Sequence, residues 1–414
     1  MSDGIVAEGA SGGGGLGSRH LFIGGLGIGQ ICSWGSLYYS FPQIAEAMRA
    51  DLGFTKPELY GAASLGLALA GLASYPVGAA IDRGHGRTIM AGGSILAGLL
   101  LLAWSQVSDL ILFYPIFAGV GLLQAATLYP PAFAVVARRF GPGNARPGIT
   151  ALTLWGGFAS TVFVPLIESL LDLYGWRGAL MMLGGVNLVL CAGLYGAVID
   201  PRADAQTETL RGPAAPGAGA SAVWTMLRLP TFWALAVAFT AFAGAFSAFT
   251  FHLYPMLLER GFDALTVVSA IAVIGPAQVA GRIIIWAFAP RASVRRIGAI
   301  IVTFFPLAIV AFGLIPESLA LLAVVAAVYG GANGIMTIVQ GMAVPEMLTR
   351  HAYGAINGVL TAPALVAKAV APALAALLWS ASASYDAVLL AIVAGAALMC
   401  ASFWTAAAFS RSAS

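Results

Sequence analysis

The sequence predicts an all-α membrane protein with twelve transmembrane helices, built as two six-helix pseudo-repeat bundles. Three observations carry this. Of 414 residues, 60% are hydrophobic and only 9% charged, where ordinary globular domains carry about 25% charged residues. Some twelve apolar stretches follow one another, each near the ~20 residues that cross a hydrocarbon core of ~30 Å. One polar stretch, from Asp200 to Arg228, outlasts every other and parts the stretches into two sets of six.

The predicted spans are 21–47, 58–81, 88–106, 109–137, 147–172, 176–198, 230–258, 264–289, 297–314, 317–345, 354–378 and 384–409. Residues 1–20 are Gly/Ser-rich and read as a disordered cytoplasmic N-terminus without a cleavable signal peptide. Span 1 carries Gln30, Trp34 and Tyr38 at helical spacing, so all three are expected on one face. A charged turn, PVGAAIDRGHGR, joins spans 2 and 3. Pro130 and Pro131 distort span 4 near Tyr129. Span 5 offers Trp155 early and Glu168 and Asp172 late, near the outer interface; Gly175-Trp176-Arg177 opens span 6.

The linker, 200–229, is rich in Pro, Gly and Ala and reads as flexible. It separates an N-terminal bundle, 21–199, from a C-terminal bundle, 230–409, followed by a short cytoplasmic tail, 410–414. In span 7, Phe242, Phe246 and Phe249 form a stripe read as packing, and His252 lies near the outer interface. Span 8 holds Gln278 one turn before Arg282, and span 10 carries Tyr329, Asn333, Met336 and Gln340 along one side. Lys368, one of two lysines in the chain, lies in span 11.

Lysine and arginine set the orientation. With the N-terminus inside, fourteen fall on the inner side, four on the outer side and two within the membrane. The positive-inside rule then puts both termini and the linker in the cytoplasm. Asn144, Asn187, Asn333 and Asn357 form no N-x-Ser/Thr acceptor, compatible with a bacterial inner membrane.

Several function classes drop out. The net charge of +3 comes from loop arginines, and no basic run suits nucleic acid. Cys32, Cys191 and Cys400 show neither disulfide nor metal spacing. No HExxH, GxSxG or Walker-type loop is present, and the polar segments are too short for a signalling domain, so neither an enzyme nor a receptor is expected. No cofactor or metal is expected, and the chain is read as a monomer in the bilayer.

Arg282 and Lys368 are the informative residues. A charge at the centre of a bilayer costs roughly 2.5–3.5 kcal/mol on insertion scales, and no acidic residue lies at matching depth. Arg282 sits ~12 Å and Lys368 ~21 Å from the cytoplasmic helix ends at 1.5 Å per residue. Arginine offers a planar fork to a carboxylate and lysine a point charge. Together they bracket a site for a small anion. Polar side chains in hydrocarbon face protein or water; Gln30, Trp34, Tyr38, Gln278, Tyr329, Asn333 and, more weakly, Trp155 complete the candidate cavity, each with interhelical packing as its bland alternative. His252 is the candidate for proton coupling by elimination.

The halves repeat weakly. A shift of 208 residues lays Arg83 on Arg291 and Arg87 on Arg295; a shift of 207 lays Ile149-Thr150 on Ile356-Asn357. Parallel repeats with a binding site between them build the major facilitator fold. The turn between spans 2 and 3 resembles the loop motif of the major facilitator superfamily through Gly78, Asp82, Arg83, Gly86 and Arg87, with the last Gly-Arg pair one residue late. The resemblance implies a gate formed by Asp82, Arg83 and Arg87. An arginine in span 8, a lysine in span 11 and Gly-Trp-Arg before span 6 resemble the oxalate/formate exchanger and monocarboxylate transporter branch, which implies that Arg282 and Lys368 bind substrate carboxylate. Gln278 stands where animal relatives often carry an Asp. The expected function is secondary active transport of a mono- or dicarboxylate-like anion by alternating access, as antiport or symport. Efflux of a drug or arsenical, or import of a planar metabolite such as a flavin, is the alternative.

Overall fold

The computed structural model describes residues 14–140, 145–201, 224–288, 292–348 and 353–410. Nine stretches among them are helical, long and apolar enough to cross a membrane. One, Pro147–Val198, is 52 residues long, about 78 Å at 1.5 Å per residue and over twice the core thickness. It reverses at Gly175 (φ 65, ψ 178) and makes two passes. Spans 1 and 2, diluted by Gly, Ser and Tyr, bring the passes to twelve.

Span 1 is not one regular helix. Gly14–Trp34 leads through a π-helical turn, Gly35–Tyr39, into Phe41–Leu52. Pro42 has no N–H to offer the carbonyl of Tyr38, four residues earlier, which loosens this turn. The helix begins at Gly14, inside the stretch expected to be disordered; residues 1–13, the linker at 202–223 and the tail at 411–414 lie outside the described residues. Span 2, Lys56–Ala80, opens on a capping box between Thr55 and Glu58. Span 4 breaks at Leu128 between Leu110–Thr127 and Tyr129–Phe140, as Pro130 and Pro131 demand. Span 5 steps from Ala145–Gly157 into Ala159–Gly185 at Phe158.

The second half is more regular: Pro230–Glu259, Ala264–Phe288, Val294–Leu314, Leu319–Met347, Tyr353–Ser382 and Tyr385–Phe409 form spans 7 to 12. Each half packs its own apolar core, and the cores trade a few side chains. Val164 joins the second, while Phe251, Ala369 and Ala376 join the first.

Spans 2 and 11, and spans 5 and 8, join the halves. Gly157 and Gly275 set the closeness of the second pair, because a Cβ at Gly275 would meet the Gly157 carbonyl. Proline supplies the acceptors. Pro276 leaves the carbonyl of Ala272 without its helical donor, and Thr161 of the other half takes it at 2.8 Å. Pro255 likewise frees Phe251, whose carbonyl accepts from Tyr60 at 3.0 Å. Within the second half, Pro372 frees Lys368, whose carbonyl accepts from Ser247 at 2.7 Å.

Candidate substrate cavity

A cavity lies between the halves, from mid-depth toward the side away from the chain ends, here the far side. Its empty volume is about 620 Å³, counted out to its open side, within the range of ligand sites. Tyr38 and Tyr39 of span 1, Phe246, Phe249 and Phe251 of span 7 and Tyr329 of span 10 supply aromatic walls. Gln43, Gln278 and Asn333 supply amides. The π turn explains the first pair: its wider winding places two successive tyrosines against one space.

Of the residues expected here, Tyr38, Gln278, Tyr329 and Asn333 line the cavity and are buried. Tyr329 packs edge and face against Phe249, Phe305 and Phe312. Trp34 stands behind the wall, 4.9 Å from the Tyr129 ring and 5.2 Å from that of Tyr38. Its indole N–H is buried without a partner.

The two cations differ. Lys368 reaches over the Tyr38 ring, 5.4 Å from its centroid. Among the described residues its ammonium has no hydrogen bond and no carboxylate within ion-pair distance. Arg282 stands closer to the terminal side. Its Nη1 donates to the Thr153 carbonyl of span 5 at 2.7 Å and its Nε to Gly334 at 3.2 Å. Thr153 lies in the last turns of helix Ala145–Gly157, and its carbonyl accepts from Arg282 through the second lone pair of the oxygen. Among the described residues the other terminal nitrogen, Nη2, has no hydrogen-bond partner, and no carboxylate pairs with the guanidinium. Two of the three guanidinium nitrogens are therefore tied to backbone.

Several expectations need correction. Gln30 does not reach the cavity: it is fully buried inside the first half, where its Nε2 donates to Thr127 at 2.7 Å and to Tyr195 at 3.0 Å. Trp155 lies over Gly27 of span 1, 39% exposed and outside the cavity wall. Phe246 and Phe249, read as packing, are part of that wall.

His252 is not interfacial. It is 1% exposed, stacked 4.1 Å from the Tyr60 ring. Its Nε2 lies 2.9 Å from the Pro372 carbonyl and its Nδ1 3.0 Å from the Tyr385 hydroxyl. A carbonyl only accepts, so Nε2 carries the hydrogen and Nδ1 accepts from Tyr385. Lys56 completes this far-side cluster. Its ammonium lies 3.3 Å from the Tyr385 oxygen, 3.7 Å from Glu46 and 4.0 Å from the Trp379 ring centroid. Spans 1 and 2 thus meet spans 7, 11 and 12.

Arg83 and Arg87 are exposed, without an ion pair among the described residues, and the side chain of Asp82 lies outside them. Cys32 and Cys191 do meet, side by side between spans 1 and 6, but within the first half's core; Cys400 is in span 12.

Sequence reasoning passed over Gln43, Tyr39 and Tyr254 as site residues and read Glu168 as a gate or surface charge. Gln43 Nε2 donates to Glu168 at 2.7 Å, and Tyr254 of the other half donates to the same carboxylate at 3.1 Å. Gln43 and Tyr254 line the far end of the cavity, held together by Glu168. A Gln one turn before Glu46 in an apolar helix was the available signal.

Residues 26–362 match the family model described as Major Facilitator Superfamily. The chain is 28% identical over 341 residues to monocarboxylate transporter 13 of Bos taurus, covering 79% of this chain and 73% of that one. It is 30% identical over 272 residues to monocarboxylate transporter 11 of Homo sapiens, covering 63% and 53%. Among solved structures, a nucleoside transporter, NupG, carrying D323A, superposes with a TM-score of 0.71 at 14% identity over 94% of this chain and 99% of that one. An inward-facing, occupied bacterial homologue of the lysosomal transporter Spinster gives 0.64 at 16% identity over 97% of each.

Proposed function

The chain belongs to the major facilitator superfamily, and from that premise we propose that it carries a small organic anion across a membrane by alternating access. The anion is a carboxylate. One observation carries this reading: Lys368 presents an unpaired ammonium beside Tyr38, a cavity wall, at mid-depth. The free edge of Arg282 adds a second positive group on the terminal side. A carboxylate bound between them replaces the water that each cation would otherwise need.

The relation to monocarboxylate transporters supports the same cargo. The far-side cluster of Lys56, Tyr60, His252 and Tyr385 acts as the closed gate in this arrangement. His252, with both ring nitrogens engaged there, serves that gate and is not the proton carrier. On this reading the chain is a monomeric carrier of a bacterial inner membrane, with both termini cytoplasmic, and not an enzyme.

Reconstituted proteoliposomes loaded with unlabelled carboxylates should take up labelled lactate, pyruvate or phenylacetate. Replacing both cations, Arg282→Ala with Lys368→Ala, should abolish uptake while the protein still purifies as a folded monomer. Undiminished uptake by that double variant overturns the assignment.

A further inference from the structure

The far end of the cavity narrows the cargo further. Gln43 is 2% exposed. Its Nε2 sits between two acceptors, the Val164 carbonyl at 3.2 Å and Glu168 Oε2 at 2.7 Å. Acceptors on both sides fix that end of the amide as nitrogen. The Oε1 atom is then buried without a donor, and a buried acceptor left unpaired is destabilising. Glu168 stands beside it, already taking the Tyr254 hydroxyl. The cavity therefore has a cation beside its Tyr38 wall and acceptors, Gln43 backed by Glu168, at its far end.

The two ends have a measurable separation. Tyr38, beside the Lys368 ammonium, lies in the π turn, and Gln43 five residues on in Phe41–Leu52, about 7 Å further along span 1. A benzene ring bearing a carboxymethyl group and a heteroatom para to it spans about 6–7 Å. Tyr38, Phe249 and Tyr329 flank the space between, and such walls favour a planar ring. A two-carbon or three-carbon acid would satisfy Lys368 and leave both the walls and Oε1 without contacts.

We propose that the cargo is an aromatic carboxylate with a hydrogen-bond donor opposite its carboxylate, the acid at Lys368, the ring between the aromatic walls and the donor at Gln43 Oε1. This rests on the carboxylate reading above.

The test uses the full chain in proteoliposomes with labelled 4-hydroxyphenylacetate, 4-methoxyphenylacetate, phenylacetate and lactate. A site built to pair a hydroxyl rejects the analogue lacking it. The wild-type chain should carry the hydroxy compound with kcat/KM at least about tenfold above the methoxy compound. Gln43→Met and Glu168→Gln should bring that ratio toward one, while each variant still purifies as a folded protein with a cooperative melting transition. Equal handling of hydroxy and methoxy compounds by the wild type overturns the inference, as does a ratio unchanged in Gln43→Met. Uptake of lactate with exclusion of all three phenyl acids overturns it while leaving the carboxylate reading in place. Failure to carry any of the four removes both.

Discussion

Thr161 donates its hydroxyl to the carbonyl of Ala272 at 2.8 Å, and that carbonyl is free because Pro276 follows it by four residues. A bond between the two halves thus depends on a nitrogen that carries no hydrogen. Pro276→Ala restores the helical donor and sets it in competition with Thr161. Weaker coupling of the halves should follow, seen as a lower melting temperature together with faster exchange of labelled substrate. Identical melting and exchange would show that the proline is incidental.

Arg282 spends part of its guanidinium on Thr153 and Gly334, so its shape matters as much as its charge. Arg282→Lys keeps the charge and loses the fork. Carboxylate uptake should fall at least about tenfold in kcat/KM, the cost of one charge-assisted bond of roughly 1.5–3 kcal/mol. Kinetics equal to wild type would mean that point charge alone suffices.

Tyr385 accepts from Lys56 and donates to His252, so its hydroxyl joins both halves. Tyr385→Phe removes two bonds worth roughly 1 kcal/mol each. Ser64, which accepts from the Ala373 N–H at 3.1 Å under this cluster, is the reporter. In a Ser64→Cys background, Tyr385→Phe should raise labelling by a membrane-impermeant maleimide several-fold from the far side. No change in labelling rate would dismiss the gate.

Gln30 and Gln278 give opposite expectations. Gln30→Leu leaves Thr127 and Tyr195 short of a donor inside the first half, costing roughly 1–3 kcal/mol of stability with KM unchanged. Gln278→Leu faces the cavity and should shift KM with little loss of thermal stability. Melting curves and uptake kinetics on the two variants separate these outcomes.

Twelve passes, the break before Pro130, the reversal at Gly175 and the mid-membrane cations were legible in hydropathy, proline and charge. The face of span 1 was not. Gln30, Trp34 and Tyr38 share one side of a regular helix, but the π turn at Gly35–Tyr39 adds a residue to one turn and rotates everything after it. Gln30 consequently points into its own bundle while Tyr38 meets the cavity. The phenylalanines of span 7 were ambiguous for another reason: an apolar ring reads the same whether its neighbour is a helix or an empty space. Gln43 was hidden by its nearness to the charged end of the helix, where polar residues draw no notice.

The near-contact of Gly157 with Gly275 gives this molecule a fulcrum. Two backbones that touch cannot slide far, yet with no side chain between them they can tilt. Span 8, 25 residues long, extends about 17–20 Å to either side of Gly275, so a rotation of about 15° carries its tips by about 5 Å. Leverage of that size opens one mouth while shutting the other, and any residue larger than glycine at position 275 would jam it.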